Sequence, residues 1–362
     1  MGAGASGLAA AAALKRRGRE PVVLDRDETV GGTWERRYDR LHLHTVRRFS
    51  GLPYHPLPRS LPRYVPKDAY AQYLADYAAR MELDVRGEQR VERIRREGET
   101  WVVEAADVRL QPRAVVIATG RHNVQTLPDW PGSTDFEGRL LHSEDYRSGR
   151  EFQGLRTLVV GLGNSGAEIA ADLVDQGAST VSVAVRSRPP ISAREIAGIP
   201  TQIFGMLLYP FPNGLVDRIG SVLRRIGTGD LRPYGLGREE WGPFGARRPP
   251  VIDVGFLAQL KARRVDVLPA LVALTRTGAR FADGTERAFD VVVAATGFAT
   301  GLPELVQEPG ALDERGYPLP GSAPPGLFFA GYSETPRGQL FESNRRSSRL
   351  AAEIDDYLGD AA

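Results

Sequence analysis

Two hexapeptides in this chain have the glycine spacing that lets backbone N–H groups close on a pyrophosphate. Gly2-Ala3-Gly4-Ala5-Ser6-Gly7 and Gly161-Leu162-Gly163-Asn164-Ser165-Gly166 both read G-x-G-x-x-G. In such a turn the first glycine makes the bend, the second admits the phosphates and the third lets helix and strand pack closely, with the phosphate charge at the helix N-terminus. After the first hexapeptide, Asp25 stands 23 residues beyond Gly2, where a carboxylate accepts hydrogen bonds from a ribose diol. After the second, the corresponding strand ends in Val185-Arg186-Ser187-Arg188, with no acid. Two guanidiniums there either grip a dianionic 2′-phosphate, which favours NADPH over NADH, or form a solvated basic turn. Gly31-Gly32-Thr33-Trp34 offers a second loop to the first pyrophosphate, with Trp34 as a flat apolar surface; its other reading is a glycine turn around a core tryptophan.

The elements that must hold these residues are legible around them. Leu8 to Leu14 is an alanine-rich helix former that ends at the C-cap glycine Gly18. Apolar runs at 21–25, 114–120, 156–161, 181–185, 290–297 and 327–331 are short, several end in glycine, and they alternate with helical stretches, as in parallel α/β sheets. Glu97-Gly98 and Asp283-Gly284 predict two hairpins. The fingerprints lie 159 residues apart, and Ala118-Thr119-Gly120 and Ala295-Thr296-Gly297 repeat as strand ends. The expected fold is therefore α/β, with two nested Rossmann-like dinucleotide-binding domains: residues 1–150 and 285–362 form one, and 151–284 are inserted in it. Residues 192–250 fit neither repeat and are either a substrate-side insertion or a packed surface subdomain. Only Met1 precedes the first fingerprint, so the first strand of that sheet is expected to be truncated, with either a natural start upstream or a damaged sheet.

Composition narrows the classes. With 362 residues, 42% hydrophobic and 25% charged, the chain is globular and of roughly two domains. Lys plus Arg total 47 against 45 Asp plus Glu, so the net +2 gives no general reason to expect nucleic acid or an anionic membrane. No apolar run approaches the ~18 residues of a membrane helix, and Leu8 to Leu14 carries its basic residues on the wrong side for a signal peptide. A soluble cytoplasmic protein acting on a small molecule is expected, with no membrane span and no metal. The absence of cysteine excludes disulfides, thiolate metal sites and redox through a cysteine pair, and with them a thioredoxin-reductase-like reading of the nested domains.

Phe136-Glu-Gly138-Arg-Leu-Leu-His142-Ser-Glu-Asp-Tyr146 matches F-x-G-x-x-x-H-x-x-x-[F/Y/W], and on it the chain resembles the class B flavin monooxygenases. Tyr146 in place of Trp resembles the N/S-oxygenating and YUCCA-type branches more than the Baeyer–Villiger branch. The segments 38–44, 49–53, Pro66-Lys67, Gly161 to Glu168, 250–255 and Ala295 to Phe298 look most like YUCCA-type enzymes. The resemblance implies FAD in the first site and NADPH in the second, with O2 and a small molecule as substrates. It implies that NADPH reduces FAD, that O2 adds to give a C4a-(hydro)peroxyflavin, and that NADP+ shields this species. The implied reaction is oxidative decarboxylation of an arylpyruvate such as indole-3-pyruvate. N- or S-oxygenation and Baeyer–Villiger oxidation are the alternatives, and a degenerate, non-catalytic flavoprotein fold is the reading from another class.

By the same resemblance, His44 falls where many N-oxygenating relatives carry an active-site Asn, and either faces the flavin or is structural. Asn164, the other catalytic candidate, and Ser165 either contact NADP+ and the flavin edge or cap their helix. His142 is expected to position its neighbours. FAD contacts are expected from Gly2, Gly4, Ser6, Gly7, Asp25, Gly32, Thr33, Trp34, Thr119 and Gly120, and from Gly331, Gln339 and Leu340 in a loop closing on the isoalloxazine. NADPH contacts are expected from Gly161, Gly163, Asn164, Ser165, Gly166, Arg186, Ser187 and Arg188. An arginine of the insertion, such as Arg194, could hold a substrate carboxylate.

Overall fold

The computed structural model describes residues 1–360 except Arg247, Gln307, Pro309 and Glu334, with Asp360 described by its backbone alone. The architecture is mixed α/β. Its largest sheet has five parallel strands in the order Asp266–Leu268, Thr180–Ala184, Arg156–Val160, Val291–Ala294, Arg139–His142. Both faces of this sheet are covered, which is why its strands read as continuous apolar runs. Val159, Val183, Val291 and Val293 pack with Ile169 and Leu173 of the helix Asn164–Asp175. Leu158, Val160, Val292 and Ala294 point the other way, onto Trp130, Phe281 and Phe289. The sheet takes in Arg139–His142 and Val291–Ala294, which lie outside the 151–284 segment expected for the inserted unit.

The first fingerprint opens the helix Ala5–Lys15, whose Leu8 and Ala9 to Leu14 are all buried. Small side chains on every face let it sit between Tyr70 and Leu74 of the helix Lys67–Arg80 and Ala351 and Ile354 of the helix Gln339–Asp360. Strand Val22–Leu24 pairs in parallel with Asp84–Arg86, and Val115–Ile117 with Leu327–Phe329. Met1 and Gly2 run between these two pairs. The Met1 amino group donates to Val116 O at 2.8 Å, Met1 O accepts from Ala118 N at 2.9 Å, and Gly2 N donates to Leu24 O at 2.8 Å.

Both expected hairpins form, Val91–Glu97 with Thr100–Ala105 and Gly278–Phe281 with Glu286–Ala288. The insertion leaves and rejoins the body through one parallel pair, Ile191–Ala193 with Val251–Asp253, and carries the helices Thr201–Leu208 and Asn213–Thr228. Among the described residues no helix is long and apolar enough to cross a membrane.

Candidate active site

The two fingerprint turns are built alike. Gly2 has φ +93° and Gly161 φ +103°, and a Cβ on either would lie 2.5 or 2.6 Å from the carbonyl oxygen of Ala118 or Ala295. A Cβ on Gly7 or Gly166 would overlap the carbonyl oxygen of Gly2 or Gly161. At Gly4 and Gly163, by contrast, no atom lies within 4 Å of the Cβ position. The outer glycines are demanded by the protein's own packing, whereas each middle glycine faces open space beside a helix N-terminus. A pyrophosphate fits such a cradle. The Ala-Thr-Gly strand ends that repeat in the sequence are the surfaces against which the two turns pack.

Around the first turn, Asp25 accepts from Ala3 N through Oδ2 and from Asp27 N through Oδ1 at 2.8 Å, so its half-buried carboxylate is fastened to the fingerprint. The turn Gly32–Glu35 is held from two sides. Thr33 and Arg36 donate to Asp27, and the buried Lys67 donates from Nζ to Glu35 O at 2.9 Å. Trp34 meets Tyr70 edge-on with centroids 4.8 Å apart. The C-terminal loop closes on the same place. Ser6 Oγ and Ser343 Oγ are 2.7 Å apart, Gly331 leaves no room for a Cβ against Ser6, and Thr119 Oγ1 lies 2.8 Å from the Tyr332 hydroxyl. Gly120, like Gly331, has positive φ. Gln339 holds Ser343 through Nε2 at 3.4 Å, while its Oε1 is buried with no partner, an acceptor free for a bound group. The side chain of Leu340 is packed in the core with Ala5, Leu8 and Leu52, at the first turn of its helix.

At the second turn, Arg186, Ser187 and Arg188 are exposed just past Thr180–Ala184. The two arginines line a cavity of about 510 Å³ with Gly235, Leu236, Glu240 and Val267 to Ala270. Neither has an ion-pair partner among the described residues, whereas Glu240 Oε1 is engaged by Arg188 N at 3.1 Å. The amide of Asn164 is occupied at both ends: Oδ1 accepts from Ile252 N at 2.7 Å and Nδ2 donates to Pro250 O at 3.5 Å. Asn164 therefore ties the fingerprint to the strand on which the insertion returns, a role that spacing in the sequence did not reveal.

Just past the second turn, its helix carries a cluster that includes His44, one of the residues singled out in the sequence. His44 Nε2 is hydrogen-bonded to Oε1 of Glu168, a fully buried carboxylate on the helix Asn164–Asp175. Glu168 Oε2 is buried with no hydrogen-bond partner. Burial, then the neighbouring Glu168 charge, push the Tyr38 phenol well above its usual range, while the Ser165 hydroxyl, hydrogen-bonded to it, opposes the shift. The only sign of Glu168 in the sequence is an acid interrupting the apolar run Ala167 to Ala171. Nearby, Arg194 donates from Nη2 to Leu43 O at 2.6 Å and stacks 3.6 Å over the Tyr64 ring, with Nε buried and without a partner. Its burial lowers the guanidinium pKa. His142 Nε2 lies 3.0 Å from Gly297 O and its ring meets Phe298 edge-on, which links the 139–142 strand to the second Ala-Thr-Gly turn. Tyr146 is fully buried, donating to Asp172 Oδ2 at 2.6 Å and stacking on Phe152.

Comparison with known proteins identifies the family. The family model described as pyridine nucleotide-disulphide oxidoreductase matches residues 1–195. The indole-3-pyruvate monooxygenase YUCCA1 of Oryza sativa subsp. japonica is 38% identical over 360 residues, covering 95% of this chain and 88% of that protein. The probable indole-3-pyruvate monooxygenase YUCCA9 of Arabidopsis thaliana is 35% identical over 353 residues, covering 92% and 83%. A solved flavin-containing monooxygenase from Stenotrophomonas maltophilia is 27% identical with a TM-score of 0.76, covering 99% of this chain and 97% of that one. The chain has no cysteine for the disulphide chemistry in the broader family's name. Its likeness to monooxygenases runs almost end to end, and the chain belongs to the YUCCA-type flavin monooxygenases, oxidoreductases that use FAD, NADPH and O2.

Proposed function

We propose that this chain oxidatively decarboxylates an arylpyruvate of the indole-3-pyruvate kind, using FAD held at the first turn and NADPH held at the second. The observation that carries the substrate class is the likeness to indole-3-pyruvate monooxygenases over 95% of the chain. The two cradles belong to nested units, and the extent of the five-stranded sheet supports placing the inner one between Arg139 and Ala294. When bound, FAD reduced by NADPH supplies oxygen activated from O2. One oxygen atom enters the product acid and the other leaves as water, while the bond from the α-carbon to the carboxylate breaks and CO2 departs.

The chain's own residues bind, orient and exclude water. Gly4 and Gly163 leave room for the pyrophosphates, Asp25 accepts from the ribose diol of FAD, and Gln339 Oε1, Ser6, Thr119 and Gly331 close the first site. Arg186 and Arg188 hold the 2′-phosphate of NADPH in the 510 Å³ cavity. Glu168 takes the Nε2 side of His44, which leaves Nδ1 as the atom that meets cofactor or substrate, with the Tyr38 phenol beside the carboxylate. Asn164 is a positioning residue that keeps the insertion seated. Arg194 is the candidate for the substrate carboxylate. Its guanidinium is stacked on Tyr64 with Nε buried and unpartnered, so an incoming carboxylate finds a partly desolvated and ordered partner.

The test is the absorption spectrum of the purified protein, followed by NADPH oxidation with arylpyruvates, amines and sulfides and product analysis under isotopic O2. The proposal requires a flavin spectrum, arylpyruvate turnover and one labelled oxygen in the acid. Turnover of amines or sulfides alone replaces it with N- or S-oxygenation. A colourless protein that FAD cannot reconstitute replaces it with a non-catalytic fold.

A further inference from the structure

One helix of the insertion is built inside out. Asn213–Thr228 turns Asp217, Arg224 and Thr228 toward the protein beside Val216. Arg224 is buried and makes two 2.8 Å hydrogen bonds to Glu239, Thr228 is buried with its hydroxyl on Arg224 O, and Asp217 accepts from Phe244 N and Gly245 N at 2.9 and 2.8 Å. Val216 is the one apolar side chain of the helix that is fully buried, whereas Leu215, Ile219, Val222 and Ile226 recur at helical spacing and are exposed, Val222 by 59% and Ile226 by 70%. Phe211 and Leu207, 53% and 66% exposed, add apolar surface in the turn and the helix just before it. A water-facing helix normally presents the opposite face, and a continuous apolar strip of this kind marks a surface that something covers.

The charges beside the stripe choose what covers it. Arg218 and Arg225 are exposed and, by their spacing, line one edge of the apolar face. Asp217 is the one carboxylate in the helix sequence, and backbone N–H groups of 244 and 245 occupy it. The outer face is therefore apolar with a purely cationic border. Apposing two copies of the stripe would bring arginine borders together with no acid on that face to answer them. A layer of lipid phosphates answers them directly, because the aliphatic stems of the arginines follow the apolar surface while their heads reach the headgroups. Sixteen residues make a helix of roughly 24 Å, which suits one lying flat in the interface rather than one spanning the bilayer.

We propose that the 207–226 face docks this protein on an anionic lipid surface, with the apolar stripe at the acyl boundary and Arg218 and Arg225 at the headgroups. The net charge of +2 conceals this site because the arrangement is local. The preceding helix, Thr201–Leu208, rests on the C-terminal loop, with Gln202 donating to Arg337 O at 2.7 Å and accepting from Val46 N at 2.9 Å. Docking thus brings to the membrane a segment that is hydrogen-bonded to the C-terminal loop. The proposal does not depend on which substrate is oxidised.

The experiment is co-sedimentation of the flavin-loaded protein with vesicles of phosphatidylcholine, with and without about a third phosphatidylserine, at low and high salt. The expected result is partition onto the anionic vesicles that falls at least tenfold in a Val222→Glu/Ile226→Glu variant, and that loses its preference for phosphatidylserine in Arg218→Glu/Arg225→Glu. Both variants alter exposed side chains, so flavin content and melting temperature are expected to match the parent and serve as the folding control. Absence of partition by the parent, or equal partition by the Val222→Glu/Ile226→Glu variant, overturns the proposal. So does a parent dimer, seen by light scattering, that the same variant dissociates, since a second copy would then be the occupant.

Discussion

At the scale of single residues, the pair His44 and Glu168 concentrates the most consequence in the fewest atoms. A histidine whose Nε2 is committed to a buried carboxylate has its ring direction and tautomer set by that partner, leaving Nδ1 as the atom with a choice. His44→Ala is expected to leave the carboxylate buried and unanswered, at ~1–3 kcal/mol of stability, measured as a lower midpoint of denaturation. Glu168→Gln in that background should recover part of the loss, giving a coupling of about 0.5–3 kcal/mol in a double-mutant cycle; strictly additive losses would mean that the pair does not interact. If His44 also meets the reacting atoms, His44→Ala should divert NADPH consumption to hydrogen peroxide, and unchanged coupling of NADPH to product would remove it from the site. Arg186 and Arg188 make the second residue-scale prediction. Charge-assisted hydrogen bonds are worth about 1.5–3 kcal/mol, so replacing both by Ala should raise the NADPH KM by at least tenfold while leaving that for NADH nearly unchanged. Equal losses with both nucleotides would refute the assignment.

At the scale of elements, the two fingerprint turns separate packing from binding within one hexapeptide. Gly4→Ala and Gly163→Ala place a methyl group in open space, so the fold should survive with little change in melting temperature while FAD occupancy falls in the first variant and NADPH affinity in the second. Gly7→Ala and Gly166→Ala place the methyl group onto a carbonyl oxygen of the same turn, so these should lower stability before any ligand is added. A Gly163→Ala protein that binds NADPH normally would mean that the second turn is not its cradle. Much of this was legible early. The glycine spacing, the alanine-rich helix, the buried valine strands and both hairpins follow from local chain chemistry and appear where expected. The surroundings of Leu340 and Asn164 were not legible, since motif position shows which turn a residue occupies but not which way its side chain leaves it. One is drawn into the core and the other is consumed by Pro250 and Ile252 from the far end of the insertion.

At the scale of the whole molecule, contacts between segments far apart in sequence tie the chain into one protein. His44 meets Glu168, and Arg63 reaches Glu195 at 2.8 Å. Ligands that bind only the folded protein raise its stability by mass action, about 2.7 kcal/mol at a hundredfold excess over Kd. The thermal midpoint is therefore expected to rise with FAD and again with NADP+, but little with NAD+ at the same concentration. Equal shifts from NADP+ and NAD+ would contradict a 2′-phosphate site between Arg186 and Arg188.

The sequence by itself determined the two glycine turns, the absence of thiol chemistry, the α/β class and the family, because each depends on residue types at short spacing or along one continuous alignment. Tertiary structure decided what spacing cannot carry. It drew the strands at 139–142 and 291–294 into the five-stranded sheet, since strand pairing follows the closing of a sheet and not the order of segments. It gave His44 a buried acid 124 residues away, because a charge enters a core only where a distant partner meets it. And it turned the apolar face of Asn213–Thr228 to the outside: amphipathic periodicity marks two faces of a helix, and only the inward contacts of Asp217 and Arg224 reveal which face the protein itself keeps.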